Sequence, residues 1–538
     1  MIELGPHKSL RRWLVIGAGG VVVCCVGLVA AVYTLKPTLE RVVRQRVESY
    51  LQGQFESSVQ FSDFHVSLFP RVRLTIEGVV LRHEITRDIP PLIEIRKVTV
   101  DASPGAFWGP RHEISRVQLE GLQIHTPPRT PGGSPIIHGT GADLARKYPF
   151  VIDEIDANNA LIVLLRKPAD LAIPPNEFEI HRVVLNGFRF DRAATFHALL
   201  KNPKPRGEIE SDGQFGPWNA EDPSRTSVSG NYSFHDADLG TFKGIQGILS
   251  SVGKYSGPLD YLNVEGVTDT PDFALRTSGH AVALHTDFKA IVDGTNGNTV
   301  LTSVTARFLD TVVETRGAVV DVYPQIKGRT IALEATISHG RIEDLLVLAL
   351  KSDRPFLTGS ARLKTTILIP EGDEDLVDRL RLDGQFDLAG VRFTGSTTQE
   401  KVDLLSRKGQ GRPRDTDIAD AASDFQGRFT LADAEVKFSR LEFQVKGASV
   451  SVAGGYNLDN EEMDFHGELQ MDAKLSQTVA GWKSAVLKPF DRFFQGQGRG
   501  SKIPIKITGT RQNPSFATDF HDKQNPKRAG GRNSPPRD

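Results

Sequence analysis

The segment VQLEGLQI, residues 117–124, contains the pattern on which the fold depends. Val117 and Leu119 lie on one face of a strand, whereas Leu122 and Ile124 have the opposite parity and face the other side if the strand is regular. A bulge at Gly121 adds one residue, which returns all four apolar side chains to one face and bends the strand. The segment therefore predicts a sharply bent strand with a concave apolar face.

The same pattern recurs in four more segments of the chain: LTIEGVVL (74–81), VVLNGFRF (183–190), LNVEGVTD (262–269) and FDLAGVRF (386–393). Their spacing is irregular, so they do not form a solenoid of fixed period. The glycines predicted to bend strands are Gly78, Gly121, Gly187, Gly266 and Gly390. Bent strands in series predict a curled antiparallel sheet around a groove. A tight turn at each glycine is the alternative, and it also gives an antiparallel all-β body.

The composition favours many short strands and excludes some kinds of site. The 538 residues include 50 Gly, 31 Pro and 29 Phe, which suits strands and turns better than a helical bundle. The 65 basic and 66 acidic residues give a net charge of -1 and no bulk attraction for nucleic acid. Cys24 and Cys25 are the two cysteines, so the rest of the chain has neither a disulfide nor a cysteine metal site.

An apolar segment near the N-terminus predicts a membrane anchor. Residues 13–35 contain no charged side chain, and as a helix they span roughly 34 Å, enough to cross a bilayer. A cleaved signal peptide is the alternative, but the small-residue exit at Val29 to Ala31 lies inside the apolar run, which favours an uncleaved signal anchor. The flanking positive charges are nearly balanced and do not fix the orientation. Residues 36–55 predict an amphipathic helix that lies on the bilayer or caps the first strands.

Strand patterns dominate the rest of the chain, with few helices. Residues 280–308 alternate and predict a two-residue hairpin turn at Asn296 and Gly297. Short helices are predicted at 341–350 and, with an amphipathic pattern, at 478–494. The sequence thus predicts a mainly β fold, in which a transmembrane helix precedes an elongated, curled antiparallel sheet with a few short amphipathic helices.

No catalytic or metal-binding constellation is found in the sequence. Gly496, Gly498 and Gly500 follow a predicted helix rather than a strand, so they fit a loop better than a nucleotide site. The histidines lack the spacing of a helical zinc pair, and the oxygen-rich segment 293–298 lacks the acidic residue that closes a calcium loop. We therefore expect no enzyme activity, no metal and no cofactor.

Both ends of the chain resemble a known family. The segment SKIPIKITGTRQNPSF, 501–516, resembles the closing segment of the AsmA family of membrane-anchored periplasmic proteins, as do residues 454–481 and 59–81. The middle of the chain is similar only in its strand character. The matching positions of the closing motif are Ile503, Ile505, Ile507, Gly509, Thr510, Asn513 and Pro514.

The resemblance implies a location and a function. AsmA proteins are similar to bridge-like lipid transfer proteins, whose curled sheets carry an apolar groove between two membranes. The resemblance therefore implies a single-pass inner-membrane protein with a cytoplasmic N-terminus and a periplasmic bulk, which acts in outer-membrane biogenesis and carries phospholipid. Its expected partners are membrane lipids and an outer-membrane or envelope protein, and no nucleic acid. Because about 25 strands extend only about 120 Å, spanning the envelope calls for a partner or self-association.

The resemblance also completes the predicted organisation of the chain. The predicted regions are a cytoplasmic N-terminus (1–12), the anchor (13–35), the amphipathic helix (36–55), an N-terminal AsmA-like β region (56–200), a central β region (201–400), a flexible insertion (401–424), an AsmA-like C-terminal module (425–520) and a disordered tail (521–538).

The bent strands supply the candidates for the groove lining. These are Leu74, Ile76, Val117, Leu119, Leu122, Ile124, Val183, Leu185, Phe386 and Leu388. One alternative is that they fill a closed sandwich core. Another is that the protein is a scaffold or regulator of outer-membrane protein assembly that carries no lipid, and an envelope enzyme is a more distant one.

Overall fold

The computed structural model describes residues 57–519, except for 68–71, 84–90, 92, 103–111, 127–141, 143–144, 147–149, 165–175, 220–222, 277, 295, 323–327, 352–353, 373, 377, 416, 418–419, 479–499 and 511–512. The predicted anchor, the amphipathic helix of 36–55, all but the first residue of the helix at 478–494, and the tail of 521–538 lie outside the described residues. Within them, no helix combines the length and the hydropathy needed to cross a membrane.

The described residues form twenty-five strands and two α-helices, which confirms the prediction of a mainly β fold. The helices are α1 (Ile342–Ala349) and α2 (Ser396–Gly409). The strands are β1 (Ser57–Gln60), β2 (Asp63–Ser67), β3 (Val72–His83), β4 (Ile93–Ala102), β5 (His112–Thr126), β6 (Phe150–Leu164), β7 (Asn176–Phe188), β8 (Ala194–Pro203), β9 (Arg206–Phe215), β10 (Ser227–Asp238), β11 (Ile245–Gln246), β12 (Ile248–Pro258), β13 (Leu262–Leu275), β14 (Val282–Val292), β15 (Thr299–Phe308), β16 (Thr311–Val320), β17 (Thr330–Arg341), β18 (Leu357–Ile369), β19 (Arg381–Phe393), β20 (Ser423–Ala432), β21 (Glu435–Val445), β22 (Ala448–Asn457), β23 (Glu462–Met471), β24 (Ser501–Thr510) and β25 (Pro514–Thr518).

The chain divides into two compact units. Unit 1 comprises residues 1–335, 348–351 and 368–379, and unit 2 comprises 336–347, 352–367 and 380–538. In unit 1, β1 and β2 both pair with β3, and successive pairs then run from β3 to β10 and from β12 to β16. β10 pairs with β12, and the short β11 pairs with the end of β13. In unit 2, successive antiparallel pairs run from β19 to β25.

The sheet of unit 1 is mixed, which corrects the prediction of a purely antiparallel sheet. β5 and β6 are parallel, with Val117 opposite Ile155 and Leu119 opposite Ala157. A parallel pair needs a long connection that returns the chain to the same end of the sheet, and residues 127–149 separate these two strands. The pairing therefore depends on the long connection and not on any pattern within the strands.

Four of the five predicted glycines lie where the strands change face. Gly78, Gly121, Gly187 and Gly390 have φ values of 62°, 62°, 69° and 63°, which glycine adopts without strain. Before Gly78 the buried residues are Leu74 and Ile76, and after it they are Val79 and Leu81, so the buried parity changes at the glycine. Gly266 is the exception. It pairs with Gly253 and Phe288 in continuous register and does not bend its strand.

The bend at Gly121 does not use the predicted extra residue. Glu120 pairs with Lys97 and Leu122 with Ile95, so Gly121 and the opposite residue Arg96 both leave the ladder and the register is unchanged. Adjacent strands therefore change face together. Gly390 comes closer to the prediction, because the register between β19 and β20 shifts by one residue beside it.

Two local predictions need correction. Helix α1 lies where a helix was predicted, but α2 occupies the first part of the segment 401–424 that was predicted to be a flexible insertion. Its buried face is mostly polar: Gln399 Nε2 donates to Asp403, and Asp403 accepts from the Ala421 amide at 2.9 Å, so no apolar pattern marks it. The connection between β14 and β15 is also longer than the predicted two-residue turn, since Val292 pairs with Thr299.

Candidate functional site

Six of the ten groove candidates lie in a closed core. Leu74, Ile76, Val117, Leu119, Leu122 and Ile124 are 0 to 6 % exposed and belong to one cluster of buried apolar residues. Phe188, Phe190 and Trp218 belong to the same cluster, and Leu185 packs against it. Val183 is only half-buried. We call this part, β1 to β7 with its cluster, the closed part of unit 1. In this part the candidate residues fill a closed core and do not line an open groove, because large aliphatic side chains on consecutive strands pack against one another.

A second apolar surface of unit 1 lies on β9, β10 and β12 to β16, and we call it the central face. Cross-strand partners fix which residues share it. One row across the strands is Gly213, Gly230, Tyr255, Val264, Ala290, Leu301 and Gly317. The next row is Ser211, Tyr232, Gly253, Gly266, Phe288, Val304 and Thr315.

No Asp, Glu, Lys, Arg or His side chain occupies the central face of these seven strands. The opposite face of the same strands carries their charges, including the ion pairs Lys254 with Glu265 and Arg307 with Asp287. Charge is therefore confined to one side of the sheet. A surface without charge over seven strands is suited to apolar material rather than to an ionic ligand.

The central face is not a packed core. Val264, Leu284, Phe288, Leu301 and Val304 are all half-buried, whereas the candidates in the closed part are almost fully buried. The described apolar clusters lie in the closed part and in unit 2, and none is centred on β9 to β16. None of these described clusters includes a residue of β10 to β16, although Val228, Val282, Ala290 and Phe308 of the central face are 4 to 8 % exposed. The central face is therefore open in part, at its half-buried residues.

Two tyrosines lie across glycines of the central face. A Cβ atom at Gly253 would lie 2.8 Å from the Tyr232 ring, and one at Gly266 would lie 2.8 Å from its hydroxyl oxygen. In the same way, a Cβ at Gly230 would meet the Tyr255 hydroxyl at 2.9 Å. The glycines thus let the rings lie close to the backbone, which is the reason for a glycine at 266, where the sequence had predicted a bend.

The polar atoms of these tyrosines have partners within the sheet. The Tyr232 hydroxyl lies 3.1 Å from Ser251 Oγ, and the Tyr255 hydroxyl lies 2.7 Å from Ser211 Oγ. Both serine hydroxyls donate in turn to backbone carbonyls at 2.9 Å. Burial raises the pKa of Tyr232 and Tyr255, so both stay neutral at physiological pH. The surface over these residues is therefore carbon with satisfied hydroxyl groups.

The remaining groove candidates, Phe386 and Leu388, lie in unit 2. The Phe386 ring lies 6.1 Å from that of Phe429 and 6.2 Å from that of Phe438, which in turn lies 5.8 Å from Phe465. Leu388 is 7 % exposed and packs with Leu345 and Leu346 of α1. Unit 2 therefore has its own apolar face, and α1 packs over Leu388.

The residues of the closing motif form a hairpin in unit 2. Ile503, Ile505 and Ile507 of β24 pair with Leu469, Gly467 and Phe465 of β23. Gly509 has a φ of 97° and pairs with Pro514, the first residue of β25. The Asn513 amide donates to the Thr510 carbonyl at 3.1 Å and closes the turn. The motif thus specifies a local β-hairpin.

One cluster on the outer face of unit 1 was not identified from the sequence. His197 Nδ1 lies 2.8 Å from an Asp212 carboxylate oxygen, and its Nε2 lies 4.0 Å from Glu210. These three side chains are the group of potential metal ligands found among the described residues, and cross-strand register brings them together. The sheet separates them from the central face.

The central face has a weak hydropathy signal because Gly, Ser, Thr and Tyr occupy nine of the fourteen positions in the two rows given above. The signal was present as a strict alternation with charge, as in RGEIESDGQF of β9, where Glu208, Glu210 and Asp212 all point outward. No family model, no curated protein and no solved structure matches the chain.

Proposed function

We propose that the central face is the floor of a curled apolar groove that carries the acyl chains of phospholipids. The observation that supports this function is a surface without charge over seven strands, on which Val264, Phe288 and Leu301 are only half-buried. Exposing an acyl chain of about sixteen carbons to water costs roughly 12 kcal/mol, so a carrier must give the chain continuous apolar contact. A groove of this kind offers that contact.

The dimensions fit an acyl chain. Seven adjacent strands cover about 29 Å across the sheet at about 4.8 Å between neighbours, and strands of ten residues are about 33 Å long. An extended acyl chain therefore fits on the face in either direction. The headgroup stays at an edge, where it keeps its contact with water.

The chemistry of the floor favours movement over tight binding. Because the hydroxyl groups of Tyr232 and Tyr255 are already bonded within the sheet, an acyl chain neither loses nor gains a hydrogen bond when it moves along the surface. Each position offers similar dispersion contacts. The barriers between neighbouring positions are consequently low, as a transfer protein requires.

The resemblance to the AsmA family supports the cellular setting of the proposal. Residues 13–35 anchor the chain in the inner membrane, the bulk of the chain lies in the periplasm, and the protein contributes to outer-membrane biogenesis by moving phospholipid between the two membranes. An outer-membrane or envelope protein is the expected partner. The protein acts without chemistry on the lipid, as a carrier and not as an enzyme.

The test compares one charge on each side of the same sheet. Val264→Asp puts a carboxylate on the central face, which a bound acyl chain would have to desolvate at a cost of several kcal/mol. Val252→Asp puts the same group on the outer face of the neighbouring strand, where Val252 is 50 % exposed. The full chain is purified in detergent, and bound phospholipid is counted by native mass spectrometry. We expect lipid on the wild type and on Val252→Asp, and about a hundredfold weaker binding for Val264→Asp.

Two outcomes contradict the proposal. A lipid-free wild type would favour the scaffold that binds envelope proteins without carrying lipid. Equal lipid on the two variants would mean that the lipid lies elsewhere on the protein.

A further inference from the structure

Segment 370–379 belongs to unit 1 and is described except at residues 373 and 377. Its described residues contact chain segments that lie at the two opposite ends of the strands. At its start, Glu371 accepts a hydrogen bond from the Val322 amide at 2.7 Å, just after the end of β16. In its middle, the Leu376 amide donates to the Lys243 carbonyl at 3.0 Å, and Asp375 forms an ion pair with Arg276, just after the end of β13. The same short segment therefore forms hydrogen bonds or ion pairs at both ends of the strands.

These two places lie far apart along the strands. Leu262, Val292, Thr299 and Val319 are successive cross-strand partners, so the end of β16 is level with the start of β13. Arg276 lies beyond the other end of β13, which is about 43 Å long for its 14 residues. In a flat sheet the two places would be separated by at least that length.

The segment is too short to cross a flat sheet. Three residues separate Glu371 from Asp375, and the four residue steps between them reach about 14 Å in extended chain. The side chains of Glu371 and Asp375 add a few ångströms at each end. The sheet must therefore curl until the strand ends contacted by Glu371 and Asp375 approach each other. The shortest connection between two ends of a curved surface runs on its concave side. The less exposed side is the central face, so the segment crosses in front of it.

Further contacts hold the segment in this position. A Cβ at Gly244 would lie 2.2 Å from the Asp375 carboxylate, and one at Gly328 would lie 3.3 Å from the Gly372 amide nitrogen. The segment therefore lies against the backbone of Gly244 near Asp375 and against that of Gly328 near Gly372. The Asp375 side chain is only 10 % exposed, although Arg276 is 63 % exposed. The Arg379 side chain also donates to the Pro370 carbonyl, which ties the segment to itself.

We infer that segment 370–379 is a strap that joins the two edges of the groove and retains acyl chains beneath it. This inference rests on the proposed function. With the strap bonded at both ends, a lipid leaves by moving along the groove under the strap and does not lift out sideways. Releasing either end opens the sideways route and shortens the time that a lipid stays bound.

The test is a charge reversal at one end of the strap. Asp375→Arg places two cations together and releases the strap from Arg276. Glu334→Arg is the matched control, because Glu334 pairs with Arg316 on the exposed outer face of the same unit. The full-length protein is loaded with a phospholipid that carries a fluorescent acyl chain, and its dissociation into excess phosphatidylcholine vesicles is followed. Hydrogen exchange at the Leu376 amide reports separately on whether the strap has opened.

We expect Asp375→Arg to raise both the dissociation rate and the exchange rate at Leu376 several-fold, and Glu334→Arg to change neither. If Asp375→Arg does not fold, Glu371→Ala releases the other end and should give the same change in dissociation. If the wild type holds lipid but the released strap leaves dissociation at the control rate, the strap inference is overturned while the proposed function stands. If the wild type takes up no lipid, both fail.

Discussion

The closed part of unit 1 and its central face share an alternating strand pattern, yet they bury their inward residues to different degrees. In the closed part, Leu74, Ile76 and Val117 are at most 1 % exposed, and residues of several strands pack against them. On the central face, Tyr232 and Val264 are half-buried. Alternation therefore tells which side of a strand is apolar, but not whether that side is packed as a core, since Phe288 and Leu301 of the central face are large and still only half-buried.

The difference has a physical basis in packing. Leu, Ile and Val on neighbouring strands fill space above the sheet and stabilise one another at about 25 cal/mol per Å² of buried apolar surface. Gly, Ser and Thr leave little to pack above the sheet, and Tyr232 lies across Gly253 and Gly266 instead of projecting. A strand with small inward residues thus gains less from a second layer, and its face can remain open for a ligand.

The largest effect is expected from a charge placed in each part. Leu119 is 2 % exposed, so Leu119→Asp buries an unpaired carboxylate and costs several kcal/mol, a large share of the stability of a typical domain. We expect amide protection in β3 to β6 to be lost, as measured by hydrogen exchange. Val264→Asp leaves its carboxylate in water when no lipid is bound, so protection in β12 to β14 should be kept. If amide protection in β3 to β6 is retained in Leu119→Asp, the side chain at 119 faces solvent and the closed part is not a packed core.

The sequence predicts features that depend on local residues, and it does not predict those that depend on distant parts of the chain. Parity around Gly121 and Gly187 predicts where strands change face, because the preference of glycine for positive φ is local. The parallel pair of β5 and β6 is not predicted, because it depends on the path of the long connection between them. The groove candidates are large apolar residues, and such residues mark the closed part and unit 2 rather than the central face. Tyr255 and Gly230 of the central face have no such hydropathy signal and are recognised only when the register brings them together.

The second comparison concerns charge on the outer side of each part. Asp156 in the closed part has a side chain only 4 % exposed and accepts hydrogen bonds from Arg182 and Arg116. Burial alone would raise its pKa, but the hydrogen bonds and charges of these arginines outweigh burial and hold the pKa of Asp156 below its ordinary value of 3.8. Asp156 therefore contributes stability that is fully present above pH 3.8 and is lost as the pH falls through the lowered pKa.

Asp156→Asn should accordingly destabilise the closed part by about 3 kcal/mol at pH 7, since Arg182 loses its anionic partner and Arg116 keeps only Glu154. The destabilisation should shrink only as the pH falls below 3.8 and through the lowered pKa, where the wild-type carboxylate also becomes protonated. Hydrogen exchange in β5 to β7 at several pH values measures both effects. Asp287→Asn, whose carboxylate pairs with Arg307 on the exposed outer side of the central strands, is the control and should change little. An equal loss in the two variants would contradict the difference in burial.

The smallest effect separates backbone conformation from packing at a face change in the closed part. Gly187 has a φ of 69°, and a Cβ placed there meets nothing within 4 Å, so the cost of a side chain comes from the backbone alone. Gly187→Ala should destabilise β6 and β7 by about 1 kcal/mol, as seen by hydrogen exchange. Gly187→Asn should cost less although its side chain is larger, because Asn tolerates the left-handed conformation better than Ala. If Asn costs more than Ala, side-chain crowding rather than φ limits this position. At Gly266 of the central face, which lies in a straight strand, we expect the opposite order, with Asn more destabilising than Ala. There the added atoms collide with the Val252 carbonyl and the Tyr232 hydroxyl.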